Sequence, residues 1–420
     1  MRSFFSTQKG IGIVFDDVYL VNGKRTPFGK LCGTLSSLSP TDLGIIATKA
    51  TLQKTNIKPE NIHQFVAANI GQASADAYFL PRHIALYSGL PLAVPALMVQ
   101  KICGSGLETI ITAAEQIVLG KAGNVLCCGT ESMSQMPTSA FGNRLGYPLG
   151  KPNFVDMLWE SLMDTAAGYS MGQTAENLAR KYNITRQEVD EFALSSFQKT
   201  IKAQKDGFFN NEIEPVSPCT LERDGLQPRK IKIPKEKEPF ITDENVRETS
   251  LEKLNQLPPV FYPDGVQTAG NSSGMVDGSA SVLISSKYEV QLNSFKPLAK
   301  IVGAATAGVE PKYMGIGPVP AIRLLLEITG LKIEDIGLIE INEAFAAQTL
   351  ACVKELGIDL KKLNIHGGAI AIGHPLGATG VRISLTLARA MRQYKVKYGI
   401  ASACIGGGQG TAILYELVNN

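Results

Sequence analysis

The chain has 420 residues, 44% hydrophobic and 19% charged, with 41 basic against 38 acidic side chains and a formal net charge of +3. That length exceeds one small domain and suits two or three, and the composition is that of a globular protein rather than a fibrous or disordered one. The charge is too small to argue for nucleic acid, and no run approaches the roughly eighteen apolar residues that a membrane-spanning helix needs.

The N-terminal segment is basic and serine-containing up to its first acid, Asp16, and lacks the apolar core and cleavage site of a secretory signal. It reads as a frayed end, with an organelle-targeting remnant as the other reading, so the expected location is cytoplasmic and the alternative is the mitochondrial matrix. Residues 42–52 predict a helix and 63–70 a strand. After Gly104, Leu107, Ile110, Ile111, Ala114, Ile117 and Val118 recur at helical spacing and predict a helix with one buried face, stopping near Gly120. Residues 124–128 then read as a short buried strand ending at Gly129. Strands alternating with helices predict a parallel α/β architecture. From about 133 to 275 prolines, glycines and polar residues increase, with helices predicted over 174–182 and 186–205. That texture reads as an inserted lid or loop domain. Its basic run over 223–237 is a solvated loop or, functionally, a landing site for ligand phosphates. Beyond 295 the alternation returns, with a strand at 336–341, helices at 343–356 and 381–392, and a strand at 398–404. Cys103-Gly-Ser-Gly and His374-Pro-Leu-Gly-Ala-Thr-Gly each open a helix that leads to a strand, which predicts two similar halves around one site.

Seven cysteines, Cys32, Cys103, Cys127, Cys128, Cys219, Cys352 and Cys404, form no CxxC pair and so neither a disulfide framework nor a zinc site. Cys103 stands just before a predicted helix. Free amides and the positive end of the helix dipole are expected to lower its pKa there, although a cysteine so placed is by itself more often a small buried residue. His374 is the candidate base among four histidines. His366 opens the same glycine-rich segment and is expected to sit behind it or touch ligand; His63 reads as structural or exposed and His83 as a surface or interface residue. Cys404 ends a strand and is followed by Ile-Gly-Gly-Gly-Gln-Gly, whose amides can form an oxyanion hole. Asn342 follows a strand, where it either faces a site or caps a helix. No loop completes GxGxxG or GxxxxGK[ST]. Two cysteines and a histidine at glycine-lined strand–helix junctions point to covalent acyl transfer assisted by a second thiol.

These residues carry a specific resemblance. Cys103-Gly-Ser-Gly, Asn342-Glu343-Ala344-Phe345, Gly373-His374-Pro375 and Cys404-Ile405-Gly406-Gly407-Gly408 resemble the four signature blocks of the thiolase family, in the family's order and spacing. Gly129-Thr-Glu-Ser-Met-Ser, Met171-Gly-Gln-Thr-Ala-Glu and Thr268-Ala-Gly-Asn-Ser-Ser-Gly extend the likeness from about residue 18 to the C-terminus. The resemblance implies an α/β thiolase fold, two similar βαβαβαββ halves stacked as five layers (α-β-α-β-α). It places the N-terminal half at 14–132 plus 276–296, a coenzyme A-binding loop domain at 133–275 and the C-terminal half at 297–420. It implies Cys103 as the acylated nucleophile, His374 as its activator and Cys404 as the acid/base for the α-proton. Asn342 would hold a water that, with His374, binds the thioester oxygen, and the amides of Cys103 and Gly406 would form the second oxyanion hole. Ser273, Ala269, Met171, Met314 and Phe345 fall along the pantetheine channel, and Arg247 near the adenine–phosphate region. Coenzyme A is then a substrate, no metal or other cofactor is implied, and a homodimer or dimer-of-dimers is expected.

Two departures stand out, the first concerning local packing or the dimer contact and the second bearing on substrate. Gln100 stands where the family more usually has Asn, and Ser170 where the short-chain biosynthetic branch commonly has His. The second favours 3-ketoacyl-CoA cleavage with a broad chain range, as in fatty acid β-oxidation, over an acetyl-CoA C-acetyltransferase restricted to acetoacetyl-CoA. A decarboxylating ketoacyl synthase is disfavoured by the Cys404 block, and a non-catalytic acyl-CoA or lipid carrier by four intact blocks.

Overall fold

The expected alternation is present in the computed structural model of the chain, which describes residues 4–7 and 9–418. The first half runs β1 (Gly10–Arg25), α1 (Pro40–Thr55), β2 (Gln64–Ala68), β3 (Ala96–Val99), α2 (Ser105–Val118) and β4 (Asn124–Glu131). An excursion follows, with α3 (Met157–Glu160), α4 (Met171–Lys181) and α5 (Arg186–Lys205), before β5 (Val276–Ser286) returns. The second half runs β6 (Ala299–Gly308), α6 (Pro318–Thr329), β7 (Leu338–Ile341), α7 (Ala346–Leu356), α8 (Leu376–Tyr394), β8 (Tyr398–Ile405) and β9 (Gln409–Leu417).

The halves repeat one another. In the first the strand order is β1-β5-β4-β2-β3, parallel from β4 outwards; in the second it is β6-β9-β8-β7, parallel at β8–β7. A single parallel bridge between Ile339 and Leu363 stands where β3 stands in the first half, so among the described residues the second sheet has four strands rather than the expected five. The two sheets are also joined. The sixteen residues of β1 pair with β5 through 18–25 and with β6 through 11–20, and one long strand therefore serves both halves.

Between them lie α2 and α8. Every residue of β4 is buried, as expected of a strand covered on both faces, and α8 is buried almost all round. The two helices touch backbone to backbone. A Cβ on Gly106 would lie 2.7 Å from the Gly380 nitrogen, and one on Gly380 would lie 2.1 Å from that of Leu107. Only glycine permits this approach, and it brings together the first turns of the two helices that follow Cys103 and His374. Gly129 does not end β4, as the sequence suggested. It lies inside the strand, where a Cβ would meet the Gly377 carbonyl at 2.0 Å.

The excursion is pinned to the first half by a buried ion pair. Arg25, fully buried on β1, donates to Glu212 at 2.7 Å and bidentately to Asp243 at 2.6 and 2.9 Å. Removing one partner from such a cluster typically costs about 3–5 kcal/mol. Against the second half, Leu178, Phe192 and Phe197 pack with Leu350 and Ala351 of α7.

Candidate active site

Cys103 is presented by a strained turn. Ile102, a β-branched residue, has φ +43, a conformation that costs on the order of 1–3 kcal/mol and persists where surrounding contacts impose it. The Ser105 hydroxyl imposes it here, accepting from the Lys101 amide and donating to the Ile102 carbonyl, both at 2.7 Å. Nothing in the composition of this segment signalled the strain. The thiol sits among Met133, Leu376, Leu31, Ile70 and Leu158. Burial pushes its pKa up to about 11; the amides of Gly406 and Cys103 itself pull it down, and the Glu131 carboxylate pushes it up. The expected lowering by the helix end is therefore overturned, because apolar burial outweighs two amides. At neutral pH Cys103 is a thiol that needs a base.

His374 arrives from the other half. Gly373, at φ +106, takes a conformation that a side chain resists, and a Cβ there would meet Val276 at 2.3 Å. The His374 amide donates to the Gly274 carbonyl at 2.9 Å. Its Nδ1 lies 2.6 Å from the Thr379 hydroxyl, which donates onward to the Pro375 carbonyl at 3.1 Å. That chain makes Nδ1 the protonated nitrogen and leaves Nε2 as an acceptor, 3.2 Å from the Asn342 Nδ2. Burial, with Arg382 adding to it, lowers the His374 pKa to about 3, so the ring is neutral at rest.

Asn342 does not cap a helix. Residues 343–345 are held extended by pairing with 271–273: Ser273 donates to the Ala344 carbonyl and Ala346 to that of Asn271, both at 3.0 Å. Helix α7 starts three residues later than the sequence pattern suggested, and the Asn342 side chain is left for His374. Its Oδ1 is buried without a protein hydrogen-bond partner. Cys404, fully buried at the end of β8, packs with Met171, Met314 and Ala344. Burial raises its pKa well above the ordinary thiol value, and Cys103 raises it further, so the two thiols act on one another. Gly406 follows, flanked by the Met171 sulfur and Ile102.

His374 opens on a cavity of about 520 Å³ whose walls also include Ser170, Met171, Ala269, Ser273 and Phe345, together with Met133 and Leu376, which pack against Cys103. Met314 lies behind the wall, buried beside Met171 and Phe345. Arg247 stands apart, exposed, its guanidinium 4.8 Å over the Phe197 ring. The basic run over 223–237 is not directed at the cavity; Arg229 pairs with Asp42 and Asp76 at 2.9 and 2.7 Å. His366 is also elsewhere, stacked 3.5 Å from Phe208, because its ring completes an aromatic cluster with Tyr394. His63 accepts from the Asn124 amide, and His83 pairs with Asp76.

The chemistry available is a neutral imidazole on the cavity wall and, behind the wall, a buried thiol held by two amides and acting on a second thiol. Models of the "Thiolase, N-terminal domain" and "Thiolase, C-terminal domain" match residues 18–288 and 295–417. The chain belongs to the thiolase family. Among its relatives, the human mitochondrial 3-ketoacyl-CoA thiolase is 44% identical over 401 residues, 95% of this chain and 98% of that one. The acetyl-CoA acetyltransferase of Cupriavidus necator is 42% identical over 407 residues, covering 95% and 99%. The crystal structure of the human mitochondrial enzyme in complex with CoA superposes with a TM-score of 0.90 at 43% identity, covering 96% of this chain and 98% of that one. The protein is thus a thiolase in fold and an acyltransferase. Among the described residues, no helix is long and apolar enough to cross a membrane.

Proposed function

We propose that this thiolase cleaves 3-ketoacyl-CoA with coenzyme A through an acyl-Cys103 intermediate. The observation that carries the reading is a neutral His374 Nε2 on the wall of an apolar cavity, with two mutually acting thiols, Cys103 and Cys404, packed against the lining residues Met133, Leu376 and Met171. Cys103 gives its proton to His374 Nε2, and the thiolate attacks the 3-keto carbon. The bond between C2 and C3 breaks, leaving the acyl group on Cys103 and the acetyl-CoA enolate, which takes the Cys404 proton. Coenzyme A then loses its thiol proton to Cys404 and attacks the thioester; Cys103 leaves and recovers its proton from His374. Two oxyanion sites support these steps. The Cys103 and Gly406 amides face one oxygen. His374 Nε2, with a water on Asn342, faces the other. One such donor is worth about 3–4 kcal/mol. Run backwards, the same groups condense two acyl-CoA molecules.

On this reading Ser273, Ala269, Met171, Met314 and Phe345 belong to the pantetheine channel, the first three from a loop domain at 133–275 and the last two from the half at 297–420, with the other half at 14–132 plus 276–296. Arg247 is assigned to the outer, phosphate end, which its exposure permits. Coenzyme A is the substrate and no other cofactor takes part. A broad chain range is favoured by the cavity's apolar wall: Leu31, Leu158 and Trp159 line it, and Trp159 is 53% exposed, leaving surface for an acyl chain to cover. A homodimer or dimer-of-dimers is the assembly proposed. The mammalian relatives named as mitochondrial favour the matrix over the cytoplasm.

The test is coenzyme A-dependent cleavage of acetoacetyl-CoA beside 3-ketooctanoyl-CoA and 3-ketohexadecanoyl-CoA. Comparable or faster cleavage of the longer substrates supports the reading. Cleavage of acetoacetyl-CoA alone makes the protein an acetyl-CoA acetyltransferase.

A further inference from the structure

One buried carboxylate beside the thiol takes no part in the scheme above. Glu131 ends β4, is fully buried, and has no Arg or Lys partner among its contacts. It is held by four N–H groups: the Asn69 side chain and the Gly71 amide at 2.9 Å on one oxygen, the Ile70 amide at 3.3 Å and the Gly377 amide at 3.0 Å on the other. A carboxylate buried without a counter-charge is costly even when hydrogen-bonded, and burial lifts the Glu131 pKa to about 7 against the pull of those amides, so an apolar or neutral residue would serve packing alone at lower cost.

Its position explains the choice. Gly377 lies in the first turn of α8, the helix that His374 precedes, and α8 has no side-chain cap of its own, since its N-cap is Pro375. Glu131 supplies that cap from the other half, where a negative charge also complements the helix dipole. The amides on its other side belong to 70–71, and Ile70 and Leu376 both pack around Cys103. One carboxylate therefore ties the His374 helix to the loop that walls the nucleophile.

The strand register points to the same conclusion. Ala68 of β2 pairs with Gly129 of β4, and Ile341 of β7 pairs with Ser402 of β8. Two residues further along their strands stand Glu131 and Cys404, and each pairs with a glycine, Gly278 and Gly410. Glu131 is the first half's counterpart of Cys404. Each faces the helix start delivered by the opposite half.

We propose that Glu131 is a positioning residue of the acyl-transfer site, clamping the start of α8 so that His374 is held against Cys103. The proposal rests on the thiolase mechanism above. Its test is Glu131→Gln, in which an amide NH2 must oppose one of the clamped N–H groups, beside Glu131→Asp, which keeps the charge but shortens the reach. For Glu131→Gln we expect kcat to fall about 100-fold, the scale of a 1 Å misplacement, with KM within about 2-fold. Glu131→Asp should lie between it and the parent. A second readout needs no turnover: iodoacetamide labelling of Cys103 against pH. Glu131 is the carboxylate acting on Cys103 and Asp277 the one acting on Glu131. Loss of the Glu131 charge should therefore move the Cys103 labelling midpoint towards acid in Glu131→Gln and leave it in place in Glu131→Asp. A merely structural carboxylate would lower melting temperature in both while leaving kcat and the labelling midpoint at parent values, and that result overturns the proposal. Should Glu131→Gln not fold, a parent-like kcat in Glu131→Asp overturns it and a reduced one sustains it. If the parent cleaves no 3-ketoacyl-CoA, the mechanism has failed rather than the clamp.

Discussion

The two halves of the molecule place an asparagine at the same point, just past the strand that leaves the sheet's parallel pair, and use it differently. Asn69 spends everything locally: its Nδ2 donates to the Thr130 carbonyl and to Glu131, and its Oδ1 accepts from the Gln72 amide. Asn342 has its Nδ2 on His374 and a buried Oδ1 with no protein partner. A buried acceptor without a protein partner costs about 1–3 kcal/mol unless a water or substrate group meets it. At this one position the same architecture thus ties one asparagine into the scaffold and turns the other towards the reactive histidine. The difference lies in which polar atoms are left unsatisfied.

The largest expected effects come from the thiols, one delivered by each half. Cys103→Ala should abolish turnover with the fold intact, read by product formation and by circular dichroism; full activity would remove Cys103 from the mechanism. Cys404→Ala should still acylate Cys103, seen as an added acyl mass on the intact protein, while net thiolysis falls by orders of magnitude. Rapid condensation by that variant would show that the α-proton moves without Cys404.

The asparagines break the comparison directly. Asn342→Ala should lower kcat about 100- to 1,000-fold, the effect of losing one oxyanion contact, with little change in melting temperature. Asn69→Ala should do the reverse: it leaves Glu131 and the Gln72 amide short of partners and should cost about 1–3 kcal/mol of stability. Equal losses of activity per folded molecule would mean that the two asparagines are not divided as described.

A smaller effect concerns the resting state. Burial holds the Cys103 pKa near 11 and His374 near 3, so between those values both are neutral. Because the thiol pKa is raised, the thiolate fraction grows with pH throughout the neutral range. Iodoacetamide labelling of Cys103 should therefore climb without a plateau from pH 6 to about 9. A plateau near pH 7 would mean a preformed thiolate, as the helix start alone suggested.

How the site was legible in sequence follows from this. Cys103, His374, Cys404 and Asn342 stood out because glycines flank them and glycines mark where backbone must come close; Gly106 against Gly380 is that requirement made physical. The repeat of helix then strand after Cys103 and after His374 was equally visible, and strands β4 and β8 follow as expected. What could not be read was burial. The Cys103 pKa has the wrong sign from sequence because Leu31, Ile70, Met133 and Leu376 come from four separate segments. His366 looked like a ligand contact because of its glycine neighbours, and only the fold reveals Phe208 and Tyr394 around it. Glu131 gave no signal of its own, since its partners at 69–71 and 377 are joined to it only by the register of two strands and one helix start.

The smallest expected effect is at Ser170, which bears on chain length. Its side chain caps α4, accepting from the Gln173 amide at 3.3 Å while Gln173 answers at 2.9 Å, and it also lines the cavity. Ser170→His would replace a small wall with a ring, so the cavity should shorten. One methylene in an apolar pocket is worth about 1–3 kcal/mol, so the ratio of kcat/KM for 3-ketooctanoyl-CoA over acetoacetyl-CoA should fall about 10-fold or more. Loss of the cap should cost about 1 kcal/mol, a modest drop in melting temperature that separates the two roles. If the ratio is unchanged while the melting temperature drops, Ser170 is a cap and no more. Chain length would then be set by the Leu158 and Trp159 side of the cavity.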